Sequence, residues 1–129
     1  MNPSDALARH RLARARTALQ DTALLMEHSR FSGAMNRMYY AAFYAARAVL
    51  ATRGLDSSRH SGVISLFQEH VVRTGAIAAD VARVLPRTFE KRQTSDYDDF
   101  SEATEEEVLS LRDQVEAFVR SCEAVVGER

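Results

Sequence analysis

Cysteine occurs once in 129 residues, at Cys122, so the chain contains no internal disulfide framework and suits a reducing compartment. Proline occurs twice and glycine five times, and no stretch alternates apolar and polar residues for the length of a strand. The N-terminal MNPSDALARHRLARAR lacks an apolar h-region. The longest apolar run, Met38 to Ala46, falls far short of the ~20 residues that span a bilayer. A cytoplasmic protein with no membrane insertion is therefore expected. Metal signatures are missing as well: no Glu-x-x-His, no HExxH, no paired-cysteine zinc spacing and no Gly-rich phosphate loop. Neither a metal nor another cofactor is expected.

With 46% hydrophobic and 27% charged residues, the composition is that of a globular protein long enough to bury a core as one domain over residues 1–129. Net charge is −1 but unevenly spread. Residues 1–64 carry nine Arg/Lys against four Asp/Glu, and residues 65–129 carry eight against fourteen. Such a dipole fits a basic patch for a phosphate-rich partner, head-to-tail association, or simply solvated helix faces.

The pattern predicts an all-α, up-and-down bundle of four to five helices. A first helix runs from Ser4 as N-cap to about Ser29, with Ala8, Leu12, Ala15, Leu19, Ala23 and Met26 on one stripe. A second opens near Ser32 and stops at Gly54, and a third spans about Ser61 to Thr74 with His70 on its apolar stripe. A fourth, from about Ala79 toward Asp96, contains Pro86, which should kink or divide it. The last begins at Thr104, where Glu107 completes a capping box. Val108, Leu111, Val115, Phe118, Cys122 and Val125 then form a seam.

Within the second helix, NRMYYAAFYAAR places polar groups among residues suited to a core. Asn36, Tyr40, Phe43 and Arg47 share a narrow sector at 100° per residue, and Ala41, Ala42, Ala45 and Ala46 leave room for close helix contact. A buried central helix with its polar groups satisfied internally, or the wall of a site, would each account for this. In the fourth helix, Arg92 and Asp96 continue the stripe begun by Leu85 and Phe89, a conflict between pattern and residue type of the kind found at functional sites. Arg preceding Asp is the less favourable ion-pair order, and an aspartate near a helix C-terminus opposes the macrodipole. A guanidinium at the core edge with the Tyr97 hydroxyl nearby fits a phosphate or transition-state contact. Of the histidines, His70 reads as a core residue and His60, in the loop after Arg59, as the exposed site candidate.

Taken together, NRMYYAAFYAAR, RHSGVISLFQEHVVRTG and FEKRQTSDYDD, followed by a terminal amphipathic helix, resemble the HEPN superfamily over about Ser29 to Val126. The resemblance is to its small stand-alone proteins encoded beside minimal nucleotidyltransferases. It implies a helical bundle paired across a twofold axis, a homodimer, with a role in toxin–antitoxin or defence modules. Active members are metal-independent ribonucleases cutting RNA, including tRNA, and a nucleotidyltransferase partner silences them. Their motif is an arginine followed after four to six residues by histidine, in a cleft shared by two subunits. Here the matching arginine is Arg92, Tyr97 stands where the histidine would fall, and no histidine follows. Arg53 and His60 also satisfy the spacing, as chance readily arranges in so arginine-rich a chain. The resemblance makes Tyr97 a candidate acceptor of a nucleotidyl group. A phenol of pKa ~10 is a poor general base at neutral pH. Two expectations follow: an RNA-cleaving centre in which Arg92 contacts the phosphate, Asp96 orients it and Tyr97 carries a proton, supported by Asn36, Tyr40 and Arg47, or a non-catalytic module that binds RNA or a nucleotidyltransferase through the same residues.

Overall fold

A computed structural model describes residues 2–97 and 102–128, with side chains described for 2–94 and 102–128. Helix α1 is Pro3–Glu27, α2 Phe31–Thr52, α3 His60–Phe67, α4 Ala79–Ala82, α5 Val84–Tyr97 and α6 Glu105–Gly127. No strand occurs among the described residues, so the all-α expectation holds. None of these helices is long and apolar enough to cross a membrane.

The N-cap of α1 is Asn2, two residues earlier than expected: its side chain accepts the Asp5 N–H at 2.8 Å. Pro3 follows at the first helical position, where its missing N–H costs nothing. The buried row is Ala8, Arg11, Ala15, Ala18 and Thr22. Leu12, Leu19 and Met26 are only half-buried and Ala23 is exposed. The expected leucine row is thus rotated outward, because α1 and α2 meet through small side chains, with Ala8 packed among Ala48 and Ala51. Arg11 is tolerated in that row by donating to the Arg47 carbonyl at 3.1 Å and pairing with Asp56 at 3.3 Å.

Helix α2 is the hub, packed against α1, α3, α5 and α6. Its Ala41, Ala42, Ala45, Ala46 and Ala48 are fully buried. Gly54 at φ +70° makes the left-handed residue that closes the helix, as its position after Arg53 suggests.

The third helix departs most from expectation. After Phe67 it widens into a π turn over Gln68–Val72, which puts Val71 in the core and leaves His70 41% exposed. His70 is therefore not a core histidine. The division expected from Pro86 is present, but it falls at Arg83. Proline takes the third place of α5, where a backbone N–H has no intrahelical partner.

The cap of α6 forms as the sequence predicts: Thr104 Oγ1 accepts the Glu107 N–H at 3.2 Å and Glu107 accepts the Thr104 N–H at 3.1 Å. Lys91 of α5 reaches Glu107 at 3.2 Å and, with the capping bonds, keeps that carboxyl below its usual range. Val108, Leu111, Val115, Phe118 and Cys122 line the buried seam, where burial pushes the Cys122 thiol well up and leaves it unreactive. Arg16 ties α1 to α6, donating to Glu123 at 3.0 Å and to Glu116 at 2.8 Å.

Candidate functional site

Four aromatics on two successive turns of α2 organise the site. Tyr39 and Phe43 lie one turn apart with ring centroids 5.6 Å apart, and Tyr40 and Tyr44 repeat that spacing on the adjoining face. Phe89 of α5 closes on Tyr39 at 5.6 Å. His60, the first residue of α3, lies flat against Phe43 with centroids 4.3 Å and planes 21° apart. Its Nδ1 is 2.8 Å from the Tyr39 hydroxyl. One helical turn beyond Phe89, Arg92 brings its guanidinium 5.6 Å from the Tyr39 ring centre and 5.4 Å from that of Tyr40. Arg47 lies 5.7 Å over Phe43 on the other side.

The loop that delivers His60 is held at Asp56. That carboxylate pairs with Arg47 at 3.0 Å and Arg11 at 3.3 Å, and accepts the Ser57 N–H at 2.8 Å. Burial is the largest influence on its pKa and raises it, but the Ser57 N–H and the two arginines together outweigh it and hold the carboxyl ionised. Gly62 lets the loop fold against the first turn of α3: a Cβ there would fall 2.1 Å from Ser57 Oγ. Beside this knot a shallow depression opens, lined by Arg47, Asp56, Ser57 and Ser58.

Burial drives the Tyr39 phenol pKa up, and burial followed by Arg92 and Arg47 drives the His60 pKa down. Both groups are neutral at pH 7, with the proton on the phenol oxygen. The Tyr39 hydroxyl and Nδ1 thus share one hydrogen bond between neutral groups, its direction set by the imidazole tautomer.

Further arginines continue this surface. Arg37 lies 4.8 Å over Tyr40 and is held by Asn36, which accepts from its Nε at 3.3 Å; Arg14 of α1 lies 4.5 Å over Tyr44. Planar cations and aromatic rings so interleaved can receive a phosphate and an unstacked base together. Among the described residues no cluster of three or more His, Cys, Asp or Glu could hold a metal ion.

Of the residues singled out in the sequence, Arg92, Tyr40, Arg47 and His60 come together, and Asn36 joins them through Arg37. The side chains of Asp96 and Tyr97 lie outside the described residues. Arg53 donates to the main-chain carbonyl of His70. Sequence reasoning missed Tyr39, whose ring is fully buried, and hence the link from Arg92 to His60. A signal was available, since a phenol on a core face needs a hydrogen-bonding partner.

A family model described as "HEPN domain" matches residues 8–125 of the chain. A "UPF0332 protein" from Thermotoga maritima is 36% identical over 128 residues, covering 99% of this chain and 97% of the relative. A Methanocaldococcus jannaschii protein named "Putative toxin MJ0605" is 34% identical over 74% of this chain and 71% of its own length. A second "UPF0332 protein", from Archaeoglobus fulgidus, is 30% identical over 92% of this chain and 94% of its own length.

Proposed function

The chain belongs to the HEPN family, and from that membership we propose that it is a toxin-like protein that acts on RNA, cleaving it without a metal ion at a centre built on Arg92. One observation carries this reading: the Arg92 guanidinium is laid against Tyr39 and Tyr40 within an aromatic wall that also holds His60. Arg92 supplies a fixed planar cation to a phosphodiester, and stabilising the charge that develops there is worth most in a partly dry wall. Tyr40 and the Asn36–Arg37 pair offer a stacking face and a second cation, and Arg47 a third. Asp96, one turn beyond Arg92 on the same helix, orients it.

The module reading extends to partners. A homodimer would set two such walls across one cleft, and a minimal nucleotidyltransferase would silence the protein by modifying Tyr97. The relative named "Putative toxin MJ0605" supports the first half of that pairing, a toxin-like chain. Incubating total tRNA with purified protein in EDTA is expected to yield discrete fragments with wild type and none with Arg92→Ala. Equal inactivity of both would leave the family's non-catalytic binding role as the surviving reading. For the partner, mass spectrometry after coexpression with an adjacent nucleotidyltransferase should find a nucleotidyl mass on the peptide carrying Tyr97. Neutralisation without that mass rules the modification out.

A further inference from the structure

We propose that His60 is a catalytic residue of the Arg92 centre, contacting the phosphodiester through Nε2 and protonating the oxygen that leaves as the RNA strand is cut. The inference rests on the RNA-cleaving reading and adds the group that the sequence motif lacks.

The geometry fixes the ring in three ways. Phe43 stacks on one face, Tyr39 occupies Nδ1, and Tyr40 presents its ring edge-on at 5.8 Å. With Nδ1 engaged, Nε2 is the nitrogen left for a ligand. His60 and Arg92 also flank the same two tyrosines: the Tyr39 ring centre is 5.7 Å from the imidazole and 5.6 Å from the guanidinium. Arg92 is also near enough to bear on the charge of the imidazole, so a phosphate placed against it comes within the neighbourhood of the ring. An imidazole from α3 then does what a histidine following Arg92 on α5 would do in the motif.

The charges around the ring explain how a neutral histidine becomes an acid when it is needed. Facing it are Arg92 from α5, Arg47 and the phenols Tyr39 and Tyr40 from α2, with Asp56 in the loop already committed to Arg47 and Arg11. In the free protein burial first, and then the two arginines, disfavour a proton on the ring. A phosphodiester anion seated on Arg92 offsets that repulsion, so binding draws a proton onto His60. Both ring nitrogens are then donors, and the Tyr39 hydroxyl accepts from Nδ1.

In the cleavage step the O2′ oxygen bonds to phosphorus as the P–O5′ bond breaks. The O2′ proton passes to water, and the O5′ oxygen takes the Nε2 proton. The products are a 2′,3′-cyclic phosphate and a 5′-hydroxyl, and His60, neutral again in the free protein, takes a proton from solvent when the next strand binds.

The test uses two RNA substrates that differ at one atom, the bridging 5′ oxygen or a sulfur in its place. A thiolate leaves without needing a proton, so it separates an acid from a structural residue. His60→Gln is expected to cut the oxygen substrate about 100-fold more slowly and the sulfur substrate at close to the wild-type rate. Equal losses on both substrates, or no loss on either, overturn the assignment. Wild type that cuts neither overturns the cleavage reading itself, and this inference with it. Should the variant fold poorly, NMR titration of wild-type His60 with a single-stranded deoxyoligonucleotide, which lacks the 2′ nucleophile, gives an independent answer. Its pKa should rise on binding, and an unchanged value overturns the proposal.

Discussion

Phe118→Ala is expected to lower the free energy of unfolding by about 3–5 kcal/mol, the range for emptying a buried aromatic site. Domains of this size are stable by only about 5–15 kcal/mol, so one substitution removes a large share. Phe118 is fully buried on the α6 seam, and its ring meets Phe67 of α3 at 5.4 Å in an edge-to-face contact. Truncation therefore loses the transfer term, the aromatic pair and the packing around the void. Its neighbours along the seam, Val115 and Cys122, are small and sit on a capped helix, so they cannot collapse into the space. Urea denaturation followed by circular dichroism should show the midpoint fall by about 2 M for a slope near 2 kcal/mol/M. A loss under about 1 kcal/mol would mean that α3 shifts to refill the site and that the seam is not rigid.

That seam was legible because α6 obeys rules local to itself: a cap three residues from its glutamate and an apolar repeat at threes and fours. The tyrosine-rich helix was legible for the same reason, as a segment apolar on nearly every side. Where reading failed, the deciding term was tertiary. Arg11 lies in the buried row of α1 because the Arg47 carbonyl and Asp56, far along the chain, receive it. The leucines of α1 yield the contact to alanines because two helices can approach more closely over small side chains. His70 was misplaced because a π turn has no apolar-pattern signature, and it shifts every later residue round the helix.

The site shows the same division. Arg92 stood out by conflict with its own stripe, a test applied within one helix. The Arg92 and His60 neighbourhood could not be read that way, since the residues lie 32 positions apart on α5 and α3. They are joined through Tyr39, whose periodicity marks it only as core. The spacing match of Arg53 with His60 shows the converse hazard. Two residues at motif distance face different partners, the His70 carbonyl for one and the Tyr39 hydroxyl for the other. Linear spacing is informative when both residues share an element, and these two are separated by a helix end and a loop.

Arg92→Lys is expected to lower the cleavage rate by about 10²-fold at saturating RNA, close to the effect of removing one fixed donor from a developing oxyanion. Charge is preserved in this variant, so the loss isolates shape. A guanidinium sits 5.6 and 5.4 Å from the Tyr39 and Tyr40 ring centres, and its planar fork of N–H groups can meet a phosphate from that position. A lysine ammonium is a strongly hydrated point charge on a flexible stem, and can satisfy the rings or the phosphate but not both in a fixed geometry. Ground-state attraction to the RNA backbone depends mainly on charge and changes little. The expected pattern is therefore a fall in kcat with KM nearly constant, as for an interaction made mostly in the transition state. A rise in KM with kcat intact would show that Arg92 only tethers RNA, and would move the chemistry elsewhere in the cleft. Comparison with Arg92→Ala completes the argument: if lysine and alanine are equally slow, planarity and ring contact account for the whole contribution. If lysine recovers most of the rate, Arg92 acts as a simple positive charge and the aromatic wall serves the fold instead of the reaction.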